Sequence, residues 1–301
     1  MQLLYSLDRD PGVSHEEILK RYDKAVDLAF ESLMFNLYLM MEITHHAIVD
    51  RDTRQSKLRP EQDDLNWNSK LFDNELVQSL FRNKTLRKYF EDRAFSSRLD
   101  RDMILKLYNT ISKSPEYRKY LFSEIDDAGH REFLLFIYRD LRKNEIYEEI
   151  IDDQYPFWQE DKSLVIGAFK KIIKQLPEAN DRFYDEYRPD DDTVIDFGRK
   201  LIGVTMEQAQ DLEKLIEPTL KNWDMERLAV LDVIIIKMAL VEFLFFPTIP
   251  TKVTLDEYVD ISKEYSTPKS KDFVNGILDR LMKSLSEEGK IKKEGRGLLE
   301  E

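Results

Sequence analysis

Residues 228–246 read Leu228-Ala229-Val230-Leu231-Asp232-Val233-Ile234-Ile235-Ile236-Lys237-Met238-Ala239-Leu240-Val241-Glu242-Phe243-Leu244-Phe245-Phe246. No other run in the chain is as apolar, and its length of roughly twenty residues is that of a bilayer-crossing helix. Three charges decide against that reading. Asp232, Lys237 and Glu242 are five residues apart, so on an α-helix each points about 140° from the last. They share no polar face, and each at a bilayer centre would cost roughly 2.5–3.5 kcal/mol. A helix that is apolar all round, with charges reaching outward near its ends, is the buried centre of a soluble bundle.

The order extends on both sides, from Trp223 to Leu281. Phe246-Pro247-Thr248-Ile249-Pro250 breaks the central helix, because proline lacks the amide donor and restricts its predecessor. Thr254-Leu255-Asp256-Glu257 has the spacing of a capping box and predicts a helix start there. Leu255, Tyr258, Val259, Ser262 and Tyr265 then trace one stripe. Ser266-Thr267-Pro268 ends that helix and opens the next, whose Phe273-Val274, Ile277-Leu278 and Leu281-Met282 recur at the step of a packed helical face. Asn275-Gly276 falls inside it. The glycine costs about 1 kcal/mol there, so close packing or access to the backbone must compensate.

Composition agrees with an all-α chain. Of 301 residues 42% are hydrophobic and 35% charged, with nine glycines and ten prolines. Few helix breakers and many charges favour helix over strand. The length suffices for one large or two modest domains. There is no cysteine, hence no disulfide framework and no thiolate metal site. A reducing cytoplasm fits, and no secretory signal pattern opens the chain. The net charge of −13 argues against a general nucleic-acid coat, whose affinity comes from Lys and Arg on phosphates. Residues 181–285 hold 14 basic and 21 acidic side chains, a balance of −7. Any RNA binding there must rest on a local patch, or on base stacking and base-edge contacts.

Elsewhere the chain also reads as helix. Leu3, Leu4 and Leu7 follow helical spacing with no cap ahead of them, as though the chain began inside a helix. Ser14-His15-Glu16-Glu17 is a second capping box, predicting a helix to about Ile48. The hydrophilic stretch Asp50 to Asn68 reads as a long loop. Helical spacing resumes from Leu71 to Phe90 and again at Ile104–Ile111. Pro115 stands at a helix's first position, and Phe133–Leu141 forms a further helix. Tyr155-Pro156-Phe157-Trp158 is an aromatic knot in a turn that plugs the core. Leu164–Leu176 is a helix ended by Pro177. Asp190-Asp191-Asp192 caps the helix carrying Val194 and Phe197, since acid suits a helix start. Thr205-Met206-Glu207-Gln208 is a third capping box, predicting a helix to about Leu220.

Catalytic signatures do not appear. His15, His45, His46 and His130 lack zinc-site spacing, and no phosphate-binding glycine loop or nucleophile elbow occurs. The methionines suit core packing. Asp126-Asp127 and Asp152-Asp153 read as solvated residues at helix boundaries. No cofactor is expected, and the chain reads as a non-enzyme.

The segments Ile249-Pro250-Thr251-Lys252-Val253, Asp256-Glu257 and Phe273-Val274-Asn275-Gly276-Ile277-Leu278-Asp279 resemble the C-terminal half of the NusB family of transcription antitermination factors. Phe197-Gly198-Arg199-Lys200-Leu201-Ile202-Gly203-Val204 resembles that family's Phe-x-x-x-Leu-x-x-Gly-Val helix, and Met1-Gln2-Leu3-Leu4-Tyr5 resembles the close of its first helix. The resemblance implies a NusB-like helical bundle over 181–285, an enlarged helical N-terminal subdomain within 1–180, and a charged tail over 286–301.

It also implies a function. NusB proteins bind the boxA segment of nascent RNA together with the ribosomal protein NusE, and help the RNA polymerase elongation complex resist termination, chiefly on ribosomal RNA operons. Matching motifs carry RNA contact to Lys269, Lys271, Phe273 and Asn275, and partner-protein contact to Tyr5 and Asp232. A helix start offers free N–H groups to phosphate, the two lysines add charge, and Phe273 either stacks on a base or packs in the core. Asp232 is expected to be reachable near the start of its helix, or to act only on the helix dipole. The family's arginine-rich stretch ahead of its first helix is not in this sequence. Val233 stands where a basic residue is usual, Lys269 where acid is common, and Asp272 where a basic residue is common. The competing reading is a helical interaction module that kept the NusB core and lost RNA. Family members occur as monomers and as dimers, so the resemblance leaves monomer and homodimer open.

Overall fold

The computed structural model describes residues 1–10, 12–220 and 228–299, and all regular structure among them is helical. Trp223, where the ordered stretch was expected to begin, lies outside the described residues. No helix among them is long and apolar enough to cross a membrane. The chain divides into two compact units, Met1–Lys24 with Asp190–Glu301, and Ala25–Pro189.

Helices α1 (Gln2–Arg9) and α2 (His15–Gln55) come first, and α2 contributes to both units. Ser14 Oγ caps α2 by accepting from the Glu17 amide at 3.2 Å. The helix continues past the expected end at Ile48. Its last turns are polar yet helical because Arg54 pairs with Asp50 one turn back at 2.8 Å, a spacing that favours helix.

In the second unit, α3 (Gln62–Asn66) occupies part of the expected loop. The helical spacing over Leu71–Phe90 belongs to three helices: α4 (Lys70–Asp73), α5 (Glu75–Arg82) and α6 (Lys84–Asp92). Two asparagines restart it. Asn74 Oδ1 accepts from the Val77 amide and Asn83 Oδ1 from the Leu86 amide, each capping the helix that follows. Then come α7 (Arg101–Ser112), α8 (Pro115–Phe122), α9 (Asp127–Leu141), α10 (Glu145–Asp152) and α11 (Trp158–Gln175). Tyr155 and Trp158 are buried in the core of this unit, as the aromatic knot suggested. His45 is exposed and His46 half-buried.

In the first unit the chain enters at Asp190, whose Oδ1 accepts from the Thr193 amide at 2.7 Å. Residues 192–199 wind as a π-helix that runs into α12 (Lys200–Glu207). The Tyr22 hydroxyl donates to the Val194 carbonyl at 3.1 Å. A Cβ at position 198 would lie 1.9 Å from that hydroxyl oxygen, so only glycine admits the ring. Thr205 does not open a helix. It sits inside α12 and donates to the Leu201 carbonyl at 2.6 Å. The next helix, α13, covers only Ala209–Ile216.

The apolar run forms α14 (Val230–Phe245), followed by α15 (Thr251–Tyr265) and α16 (Ser270–Glu287). α14 packs against α1, α12, α13, α15 and α16 and is the centre of this unit. Its three charges each reach a partner. Lys237 pairs with Glu213 of α13 at 2.6 Å. Glu242 is buried, accepting from Thr254 Oγ1 at 2.7 Å and from the Tyr258 hydroxyl at 3.1 Å. Thr254 is thus a buried donor within α15 and not its cap; the helix starts at Thr251, directly after Pro250. After α16 the charged segment folds back. Lys293 Nζ donates to the carbonyls of Glu242 and Phe246, and the Glu294 amide to the Pro247 carbonyl at 2.8 Å. Gly297 lies where a Cβ would be 2.0 Å from the same Pro247 oxygen.

Candidate RNA and partner interface

The start of α16 is held from below by one carboxylate. Asp232, in the first turn of α14, is only 5% exposed. Its Oδ1 accepts from Ser266 Oγ at 2.5 Å and its Oδ2 from Ser270 Oγ at 2.8 Å. Ser266 also lies 2.9 Å from Ser270 Oγ. Ser270 Oγ in turn accepts from the Thr267 amide at 3.2 Å and lies 2.8 Å from the Thr267 hydroxyl. Five residues of chain are thereby tied to a single buried acid, and a buried hydrogen bond to a charged group is the stronger kind.

Asp232 was expected either to be reachable from solvent or to act only on the helix dipole, and the first of these asks for an exposed carboxylate. It is not exposed, because the hydroxyls that enclose it come from 34 and 38 residues away, a distance no local spacing reveals. Its negative charge also sits directly beneath the amide end of α16. An anion there offsets the positive end of the helix dipole, so the attraction of phosphate to this helix start falls mainly to side chains.

Those side chains are close together in sequence. Lys269, Lys271 and Asn275 are exposed, as is Asp272. Lys271 and Asn275 are four residues apart and share a face of α16. Phe273 points about 200° from Lys271; it is half-buried and packed on the core of the unit, so at most part of its ring meets solvent. Gly276 has nothing within 4 Å of where a Cβ would be. Close packing therefore does not explain this half-buried glycine, whose carbonyl accepts from Arg280 Nε at 2.9 Å. Tyr5 lies elsewhere in the unit, on α1, half-buried with the Arg9 guanidinium 5.1 Å from its ring centre. Among the described residues no group of three or more His, Asp or Glu side chains could hold a metal ion.

A unit built of packed helices around α14, with exposed polar side chains at the start of α16 above a buried carboxylate, belongs to the class of all-helical bundles. The sequence model of the NusB family matches residues 159–283. The transcription antitermination protein NusB of Salinibacter ruber is 37% identical over 110 residues, which is 36% of this chain and 69% of the relative. The NusB protein of Chloroherpeton thalassium is 37% identical over 105 residues, 35% of this chain and 50% of its own. That of Thermodesulfovibrio yellowstonii is 29% identical over 143 residues, 48% and 93% of the two chains. No solved structure matches significantly. The chain belongs to the NusB family. The match begins inside α11, ahead of the motifs that carried the resemblance in the sequence.

Proposed function

We propose that this protein is an antitermination factor of the cytoplasm that binds boxA-type nascent RNA together with NusE and supports transcription of ribosomal RNA by the polymerase elongation complex. The observation that carries the reading is the clamped start of α16, which sets exposed Lys269, Lys271 and Asn275 on a fixed backbone. In this reading the lysines meet phosphate, Asn275 reads a base edge, and the half-buried ring of Phe273 stacks on a base. Tyr5 contributes to the NusE contact. Asp232 contributes through the loop it holds in place and not through its own carboxylate. Residues 181–285 act as the binding domain, with 1–180 an enlarged helical region and 286–301 a charged tail.

A titration of labelled boxA RNA, with and without NusE, tests the proposal. A shift that weakens with salt and strengthens with NusE is expected. Absence of any shift at low salt, in both arms, would overturn it and leave the interaction module without RNA. Lys271→Glu is expected to weaken RNA binding roughly tenfold and to lower the salt slope by about one. Unchanged binding would remove that lysine from the site.

A further inference from the structure

We propose that the second unit carries a pocket for an organic ammonium ion, walled by Tyr38, Phe81 and Phe90 and charged by Glu42. This goes beyond the RNA reading and uses none of its residues. The pocket encloses about 300 Å³ and is lined entirely by residues of α2, of α5 and α6, and of the turn after α6. Tyr38 and Phe90 have ring centres 5.1 Å apart with planes at 62°, so they form a corner. Aromatic faces attract cations, and a corner of them attracts a cation more than a single ring does.

Glu42 supplies the charge. It is half-buried and has no ion pair among the described residues. The Tyr38 hydroxyl donates to it, and burial pushes its carboxyl up. His45 and Arg101 act on this carboxyl electrostatically without pairing with it, and a desolvated carboxylate that lacks a direct ion pair still gains from an incoming positive group. Glu91 adds a second carboxylate to the lining and Arg87 a single guanidinium.

The contrast with neighbouring rings supports the assignment. The protein's own arginines cover several aromatic faces of this unit: Arg188 over Phe30 at 4.1 Å, Arg93 over Tyr89 at 5.1 Å and Arg118 over Phe122 at 5.5 Å. Among the described residues no Lys or Arg lies over Tyr38, Phe81 or Phe90, and the His45 ring sits 6.1 Å from that of Phe81. Size narrows the ligand. The volume is at the small end for ligand pockets, enough for an alkyl stem and its head group but too little for a nucleotide. A hard divalent ion would need six or more oxygen ligands, which aromatic walls do not offer.

The head group has two sources, a free polyamine or a lysine side chain of a partner, and the experiment separates them. The full-length protein is titrated calorimetrically with spermidine, with N-acetyl-lysine methylamide, with n-butylammonium and with n-butanol. Saturable binding of the ammonium compounds and none of butanol is expected; whether spermidine or the lysine amide binds more tightly identifies the source. Glu42→Gln, which keeps shape and removes charge, is expected to weaken binding about tenfold or more with the melting temperature retained. Arg87→Ala is expected to strengthen it. As a second readout, the ammonium ions should shift the ring-proton NMR signals of Phe81 and Phe90. No saturable binding by any ammonium compound, equal binding of butanol, or undiminished binding to Glu42→Gln would each overturn the assignment.

Discussion

Gly276 is a helix-interior glycine with open space around it. An alanine there meets nothing and removes the entropy penalty, so Gly276→Ala is expected to raise stability by about 1 kcal/mol in chemical denaturation. If the glycine serves ligand approach, the same variant binds boxA RNA less well. A variant that is both more stable and equally good at binding would leave the residue without a role in recognition. Glu242 makes a second residue-scale case. Burial pushes its carboxyl up, against the hydrogen bonds from Thr254 and Tyr258 that favour the charged form. The folded state therefore holds that proton more tightly than the unfolded chain. Its contribution is favourable below the ordinary glutamate range and is lost as pH rises from that range through the raised folded value. Glu242→Gln is accordingly expected to be more stable than the parent at neutral pH, with the gain shrinking toward pH 4; thermal melts across pH 4–8 measure it. A gain that instead grew with acidity would contradict the assignment.

At the scale of elements, α14 was legible because nothing but a buried helix is apolar all round and still carries charges 140° apart. The partners of those charges were not legible. Glu213 lies 24 residues before Lys237, and Ser270 lies 38 after Asp232. Helix starts were legible where a side chain does the capping, as at Ser14 and Asp190. They failed at Thr254 and Thr205, whose hydroxyls bond inward to Glu242 and Leu201 while the helices begin earlier. The candidate RNA-binding residues at the start of α16 came from a motif, and only the structure showed that Phe273 is half-buried and Asp232 enclosed. The returning segment after α16 was read as a charged tail because, apart from Ile291 packed on the core, its contacts run from backbone to backbone and from lysine to carbonyl and leave little apolar pattern. Burial pushes the Lys293 amine down, in keeping with a cation drawn onto the end of α14. Gly297→Ala is expected to lift this strap, since the added methyl would collide with the Pro247 carbonyl. Trypsin should then cut at Lys290, Lys292, Lys293 or Arg296 faster than in the parent, with the rest of the pattern unchanged. Equal cleavage rates would mean the strap adjusts around the extra carbon.

Across the whole molecule, the two units differ in how they are drawn from the chain. Ala25–Pro189 is one continuous stretch with its own buried core, from Phe30 to Tyr184. A fragment of residues 25–189 is expected to fold alone and to unfold in one cooperative transition, followed by circular dichroism during a urea titration. A broad, non-cooperative loss of signal would show that this core depends on the other unit. The other unit is assembled from both ends of the chain, with α1 packed against α14. These two helices are more than two hundred positions apart. At a synthesis rate of about 5–20 residues per second, the ribosome needs roughly ten to forty seconds to deliver the second after the first. During that interval the middle of the chain can emerge and settle, while the first helix waits tethered and unmatched, its Leu4 side open to whatever chaperone meets the nascent protein.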